Sequence, residues 1–144
     1  MKLNFIKIVI AFFVTTIPIS VFAQYNFSTD YFKIQINKKG WITSMKNITL
    51  KPNREFSPTD KPSPVMSLYD SKKNVYYQPT GATYTQTSQT MVLKYPNGSV
   101  AKISIVPKKK YFKLTLQSLS PRNGIDVIQW GNYHTNITNL MGEI

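Results

Sequence analysis

The chain has 144 residues, no cysteine and a formal net charge of +12. A chain without cysteine has no disulfide framework, which excludes the small disulfide-stapled toxins and growth factors. The basic excess favours anionic partners such as nucleic acid, a membrane surface or acidic polysaccharide, unless it serves solubility alone.

The first 23 residues have the composition of a secretory signal peptide. Lys2 and Lys7 precede an apolar run over residues 8–19, and a small-residue cleavage pattern ends at Ala23. An apolar run of about a dozen residues is shorter than the roughly 20 needed to span a bilayer. We therefore predict cleavage of residues 1–23 and no membrane span in the mature protein.

The mature chain, residues 24–144, is long enough for one domain with a modest core. Without Lys2 and Lys7 its net charge falls from +12 to +10. Because the protein is expected to be exported, we predict no nucleic-acid partner. The alternation of apolar and polar residues in "YFKIQIN" and the turn before "WITSMKNITL" predict a first β-hairpin.

Two further segments carry turn signals. The run "TMVLKYPNGSVAKISIV" has Asn97-Gly98 between two strand-like halves, and this dipeptide accepts the positive φ angles of a tight hairpin turn. Residues 51–64 contain four prolines, which forbid a central strand and predict a long loop.

The segments "VMSLYD", "NVYYQ", "ATYTQ", "YFKLTLQSL" and "IDVIQW" add short strands. Adjacent residues of a strand face opposite sides, so one of Tyr76 and Tyr77 is expected to be exposed. In "YFKLTLQSL" the apolar Phe112, Leu114 and Leu116 share one face.

These patterns predict an all-β domain over residues 24–144 with about nine strands. Consecutive short strands with hairpin spacing favour an antiparallel meander in a sandwich or a barrel. In a strict up-and-down order, seven lysines would gather at one rim: Lys38, Lys39, Lys72, Lys73, Lys108, Lys109 and Lys110. The alternative is that these are solvated turn lysines that protect sheet edges.

The sequence offers little support for catalysis. Glycoside hydrolysis commonly needs two facing carboxylates, and the mature chain has six that form no recognisable pair: Asp30, Glu55, Asp60, Asp70, Asp126 and Glu143. The single histidine, His134, suffices neither for a metal site nor for a Ser/His/Asp triad. Nucleotide-binding and zinc-binding patterns are missing. We predict no catalytic residue, no metal site and no cofactor.

Three stretches resemble a known family: "PNREFSPTDKPSPVMSLYDSKKNVYY", "YPNGSVAKISI" and "YFKLTLQSLSPRNGIDVIQWGNYHTNITNLMGEI". They are similar to the amino-terminal region of large secreted proteins of Gram-negative bacteria that degrade polysaccharides. In that family a β-sandwich like that of galactose mutarotase precedes a catalytic glycoside-hydrolase barrel. The resemblance covers roughly residues 30–144 and matches none of the family's acid and base residues.

The resemblance implies an antiparallel β-supersandwich and a location that is secreted, periplasmic or on the cell surface. A complete supersandwich needs more chain than residues 24–144, so we expect the first part of a larger domain, with a self-contained small sandwich as the alternative. The implied function is a non-catalytic module of a carbohydrate-active enzyme that supports a catalytic domain and contacts glycan.

We predict glycan contact through the rings and hydrogen-bonding groups of Trp130, Tyr133 and His134. Lys108, Lys109 and Lys110 would favour acidic sugars. A second hypothesis is an independent exported protein that binds an anionic surface polysaccharide through the lysine rim. A third, a mutarotase-like enzyme, lacks a recognisable catalytic His and Glu pair.

Overall fold

A computed structural model describes residues 24–58 and 60–136, and the predicted signal peptide lies outside these residues. Every regular element in this part of the chain is a β-strand, which confirms the predicted all-β class. None of its elements is a helix long and apolar enough to cross a membrane. The strands are β1 Gln24–Ser28, β2 Phe32–Asn37, β3 Trp41–Asn47, β4 Arg54–Glu55, β5 Ser63–Pro64, β6 Met66–Asp70, β7 Val75–Tyr77, β8 Gly81–Thr85, β9 Thr90–Lys94, β10 Val100–Pro107, β11 Phe112–Ser120 and β12 Val127–Trp130.

The strands form three antiparallel sheets. The first has the order β1-β2-β3-β4, with β5 also pairing with β3. The second has the order β12-β6-β7, and the third has the order β11-β10-β9-β8. The order departs from a strict up-and-down meander because β12, near the end of the described chain, returns to pair with β6.

The inner faces of all three sheets contribute to one apolar core. Ile34 and Ile36 of β2 point inward because alternate residues of a strand face the same side. Met91 of β9 and Ile103 of β10 belong to the same buried cluster. The Phe27 ring of β1 meets the Tyr84 ring of β8 edge to face, with centroids 4.8 Å apart. The first and third sheets therefore face each other as in a β-sandwich.

Both predicted hairpins are present, but the Asn97-Gly98 turn differs in type. The backbone N–H of Tyr95 donates to the Ser99 carbonyl at 3.0 Å, so the loop has three residues, Pro96 to Gly98. Only Gly98 has a positive φ, at 83°, whereas a two-residue turn would require one at Asn97 as well. Proline is favoured at the first central position of a type I turn. Pro96 thus selects a type I turn that is closed by a left-handed glycine.

The proline-rich segment is mainly loop, as predicted, and it also contributes two short strands. The two-residue strands β4 and β5 pair with opposite ends of β3, and Pro64 lies opposite Trp41. Prolines are tolerated at such sheet edges, where no ladder hydrogen bond is lost. The loop is thereby fixed against the first sheet and carries Pro62 and Pro64 to the side of Trp41.

Candidate binding cleft

Two adjoining pockets, both lined by Trp41, together form what we call the Trp41 cleft. One part has a volume of about 420 Å³, and the other, which shares Trp41, Pro62 and Gln78 with it, has a volume of about 500 Å³. The cleft is lined by Asn37, Lys39, Trp41, Pro62, Pro64, Ser67, Tyr76, Gln78, Pro79, Thr80, Pro96, Gln129, Asn132 and His134. These residues come from the first and second sheets, from the loops before β8 and after β9, and from the segment that follows β12.

The Trp41 indole is held in place by its only polar atom. Its Nε1–H donates to the Pro79 carbonyl at 2.9 Å. The backbone N–H of Trp41 donates to the Asn37 side chain at 3.1 Å, in the turn that starts β3. With the nitrogen satisfied and the ring half-buried, the indole presents a fixed apolar surface to the cleft.

A second ring, Tyr76, lies on the same side of the molecule. Its side chain is 53% exposed, and its ring packs against that of Tyr69 with centroids 4.4 Å apart. The neighbouring Tyr77 is half-buried, as expected for adjacent residues of a strand, which face opposite sides. The prediction that one of the two tyrosines is exposed is therefore confirmed, and the exposed one lines the cleft.

Side-chain amides supply most of the hydrogen-bonding capacity of the cleft. The Gln78 oxygen accepts a hydrogen bond from Ser67 Oγ at 2.6 Å, which leaves the two donors of this amide directed elsewhere. The amides of Gln129 and Asn132 line the same part. Each amide offers both donors and an acceptor, a combination that matches the hydroxyl groups of a polar ligand.

Asn132 adds a strained backbone to this part of the cleft. Its φ of 144° is in the positive region that residues other than glycine rarely adopt. The chain around it is fixed by two contacts, from the His134 backbone N–H to Ser63 Oγ at 2.8 Å and from the Asn136 N–H to the Phe56 carbonyl at 2.9 Å. Such strain persists only where the surroundings impose it, and it is common at ligand sites.

The three predicted contact residues at the end of β12 are separated by the strand geometry. His134 lines the cleft. Trp130 is 40% exposed but alternates with Gln129, so it lies on the opposite face of β12 from the cleft. Tyr133 folds back on the chain, with its hydroxyl 3.4 Å from the Val65 carbonyl. Burial raises the pKa of the Tyr133 hydroxyl.

The predicted lysine rim is wrong, because the turns that carry its lysines lie at different ends of the molecule. The Asp30 backbone N–H donates to the Lys109 carbonyl at 3.0 Å, which places the turn of Lys108 to Lys110 beside the β1–β2 turn. Lys38 and Lys39 lie at the other end of β2, about 20 Å away at roughly 3.3 Å per strand residue. The strict up-and-down order assumed for the rim does not account for this contact between the Lys108–Lys110 turn and the β1–β2 turn.

The Lys108–Lys110 turn has its own local contacts. The Lys110 ammonium lies 5.9 Å from the centre of the Tyr31 ring, a distance compatible with a weak cation–π contact. The structure does not bring Lys108, Lys109 or Lys110 to the Trp41 cleft, because they lie at the opposite end of β2. They therefore form a separate basic surface.

The carboxylate of Glu55 has a structural role. It accepts hydrogen bonds from Ser44 Oγ at 2.6 Å and from the Met45 backbone N–H at 2.7 Å, and Lys46 Nζ lies 3.8 Å away. These contacts hold β4 against β3. Because the oxygens of Glu55 are used by the first sheet, the carboxylate is fixed where it supports the fold.

Asp70 and Asp126 fix the turn between β6 and β7. Asp70 is 1% exposed, and one of its oxygens lies 3.4 Å from Lys73 Nζ. The Ser71 side chain donates to the Asp126 carboxylate, and this hydrogen bond lowers the pKa of Asp126. Within residues 24–58 and 60–136, no three His, Cys, Asp or Glu side chains come together as a metal ion would require.

No family model, curated protein or solved structure matches the chain. The resemblance to the amino-terminal sandwich of secreted glycoside hydrolases therefore stays a prediction.

Proposed function

We propose that the chain is a non-catalytic β-sandwich module of a secreted carbohydrate-active protein and that it contacts glycan through the Trp41 cleft. The observation that carries the proposal is the combination of two fixed rings, Trp41 and Tyr76, with the amides of Gln78, Gln129 and Asn132 in one cleft. Sugars present apolar ring faces and many hydroxyl groups. Aromatic rings pack against the apolar faces of sugars, and amides form hydrogen bonds with their hydroxyl groups.

The assignment of a supporting rather than a catalytic role rests on the carboxylates. Glu55, Asp70 and Asp126 are engaged with the backbone or with neighbouring side chains of their own turns and strands. None of them lines the Trp41 cleft. Among the described residues, a glycan in this cleft would meet groups that bind it and no pair of carboxylates that could cleave it.

A second groove is a candidate contact surface for the catalytic domain expected in the same protein. It has a volume of about 350 Å³ and lies between β11 and β12, with Leu116, Leu119 and Ile128 among its lining residues. Each of the two strands pairs on one side only in the described chain. Half-buried apolar side chains beside two open strand edges are suited to packing against a neighbouring module.

Changing Tyr76 to Ala is expected to weaken glycan binding about tenfold. The substitution removes an exposed ring from the cleft and leaves the core intact, and a stacked ring contributes about 0.5–1.5 kcal/mol beyond its buried area. The measurement is titration with the glycans that the unmodified chain retains on a glycan array. The chain has two tryptophans, so the Trp130→Phe background leaves Trp41 as the single fluorescent reporter of the cleft.

Tyr111→Ala is the matched control. Tyr111 is 59% exposed and adjoins the Lys108–Lys110 turn, so its loss removes an equally exposed ring far from the cleft. We expect this variant to bind as the unmodified chain does. Equal affinity of Tyr76→Ala and the unmodified chain, with unchanged melting, would remove the cleft from the proposal. Loss of binding in Tyr111→Ala alone would move the site to the opposite end of the molecule.

A further inference from the structure

Among the described residues that line the Trp41 cleft, Lys39 is the one permanently charged side chain, and none is Asp or Glu. We infer that the cleft selects an acidic glycan, one that carries carboxylate or sulfate groups, and that Lys39 recognises the charge. This inference rests on the proposed function and names the substrate class of the same site.

The lysine and the ring are held together by one side chain. Asn37 Oδ1 accepts hydrogen bonds from the backbone N–H groups of Lys39 at 2.9 Å and of Trp41 at 3.1 Å. The Gly40 N–H donates to the Asn37 carbonyl at 2.9 Å and closes the turn. The turn therefore fixes the point from which the Lys39 side chain extends relative to the indole, so a sugar ring at Trp41 would have its anionic group within reach of Lys39.

The ammonium group of Lys39 is not paired with an acidic side chain of the described residues. The salt bridges of the described residues use Lys46 and Lys73, and neither includes Lys39. Asp60, two residues before Pro62, is not among the residues that line the cleft. Asp70 and Asp126 are bonded within the β6–β7 turn. Within residues 24–58 and 60–136, Lys39 makes no salt bridge and no carboxylate lines the cleft, so an anionic ligand would be attracted and would meet no like charge.

The lining also explains why a neutral glycan is the weaker candidate. Carboxylates accept hydrogen bonds from sugar hydroxyls and are the strongest acceptors that a protein offers. Among the described lining residues of the Trp41 cleft, no acceptor is a carboxylate, whereas the one permanent charge, on Lys39, is a donor. Ligand groups that accept hydrogen bonds and carry negative charge therefore interact most favourably with this cleft.

Lys39→Gln is expected to abolish the preference for acidic glycan. The probes are hexasaccharides of polygalacturonate and of alginate, each compared with the same hexasaccharide after reduction of its carboxyl groups, at 50 and 500 mM NaCl. We expect the unmodified chain to prefer an acidic hexasaccharide over its reduced form by at least tenfold at low salt, and Lys39→Gln to bind both forms with equal affinity.

Two matched variants remove the same charge elsewhere. Lys38→Gln changes the adjacent residue of the turn, which does not line the cleft, and Lys109→Gln changes the turn at the opposite end of β2. Both should keep the preference for the acidic form. If Lys38→Gln and Lys39→Gln lose the preference for the acidic form equally, the effect is one of net charge and the inference is overturned. A loss of the preference in Lys109→Gln alone would also overturn it.

The outcomes separate this inference from the proposed function. If the unmodified chain binds the acidic and reduced forms equally and Tyr76→Ala weakens both, the cleft binds neutral glycan and the acidic specificity is wrong. If neither form of either hexasaccharide nor any glycan of the array binds, the proposed function fails together with the inference. Melting curves of each variant check that the fold is retained.

Discussion

Gly40→Ala is expected to destabilise the chain by about 2–5 kcal/mol, whereas Gly98→Ala should cost about 1–2 kcal/mol. Both glycines have a positive φ, 85° at Gly40 and 83° at Gly98, so alanine is strained at either position by about 1–2 kcal/mol. At Gly40 a Cβ would also lie 2.7 Å from Leu93 Cδ2 and 3.2 Å from Pro79 Cβ. Overpacking of this kind adds about 1–3 kcal/mol.

Comparing Gly40→Ala with Gly98→Ala separates the energetic cost of backbone strain from the cost of the steric clash. No atom lies within 4 Å of the Cβ position at Gly98, so that variant reports the strain alone. The free energy of unfolding from urea denaturation measures both. An equal decrease in the free energy of unfolding in the two variants would mean that Leu93, which is fully buried, moves aside at no energetic cost. The packing between the first and third sheets would then be looser than the contacts around Gly40 indicate.

Gly40 also connects stability with the cleft. It lies between Lys39 and Trp41, and its carbonyl accepts a hydrogen bond from the Val65 N–H at 3.0 Å. A methyl group at this position would press on Pro79, whose carbonyl holds the Trp41 indole. The close packing that makes glycine necessary here is therefore the packing that fixes the ring.

Local patterns in the sequence were sufficient to predict the hairpins and their faces. Period-two alternation identified the inward residues of β2 and β11, since each strand alternates independently of what it pairs with. Strand β1, Gln24–Ser28, was not predicted because only Phe27 of its five residues is buried. The two-residue strands β4 and β5 contain too few residues to show any period.

The cleft could not be predicted because its residues meet through long-range pairing. Strand β12 pairs with β6 and brings Gln129 opposite Ser67, while β5 brings Pro64 opposite Trp41. The predicted cluster at the end of β12 followed sequence proximity, and the structure retains only His134 of it in the cleft. The signal available for the other residues was the exposed ring of the Tyr76-Tyr77 pair, which was recognised without a location.

Tyr95→Phe is expected to reduce the loss of stability at alkaline pH. The Tyr95 ring is 4% exposed, and its hydroxyl donates to the Met66 carbonyl at 3.1 Å, which joins the third sheet to the second. Burial raises the pKa of this hydroxyl far above its ordinary value of 10.0. Above pH 10 the unfolded chain therefore releases the Tyr95 proton while the folded chain keeps it.

The sign of the effect follows from proton binding. A state that keeps a proton loses stability relative to one that releases it as the pH rises, so Tyr95 contributes a fall of about 1.4 kcal/mol per pH unit above pH 10. Phenylalanine has no proton to release and removes this slope. At pH 7 the variant should be less stable by about 1 kcal/mol, because the hydrogen bond to Met66 is lost.

The two effects oppose each other, so the stability difference between the unmodified chain and Tyr95→Phe should shrink from pH 7 to pH 11 and approach zero. Burial also raises the pKa of Tyr84 and Tyr133, but these residues are present in both chains and cancel in the difference. Tyr111→Phe, at a 59% exposed position, should track the unmodified chain at every pH. Urea unfolding at pH 7, 9, 10 and 11 measures all three. A constant difference between the unmodified chain and Tyr95→Phe would mean that the folded chain ionises Tyr95 as readily as the unfolded one, and that the junction between the second and third sheets opens to solvent.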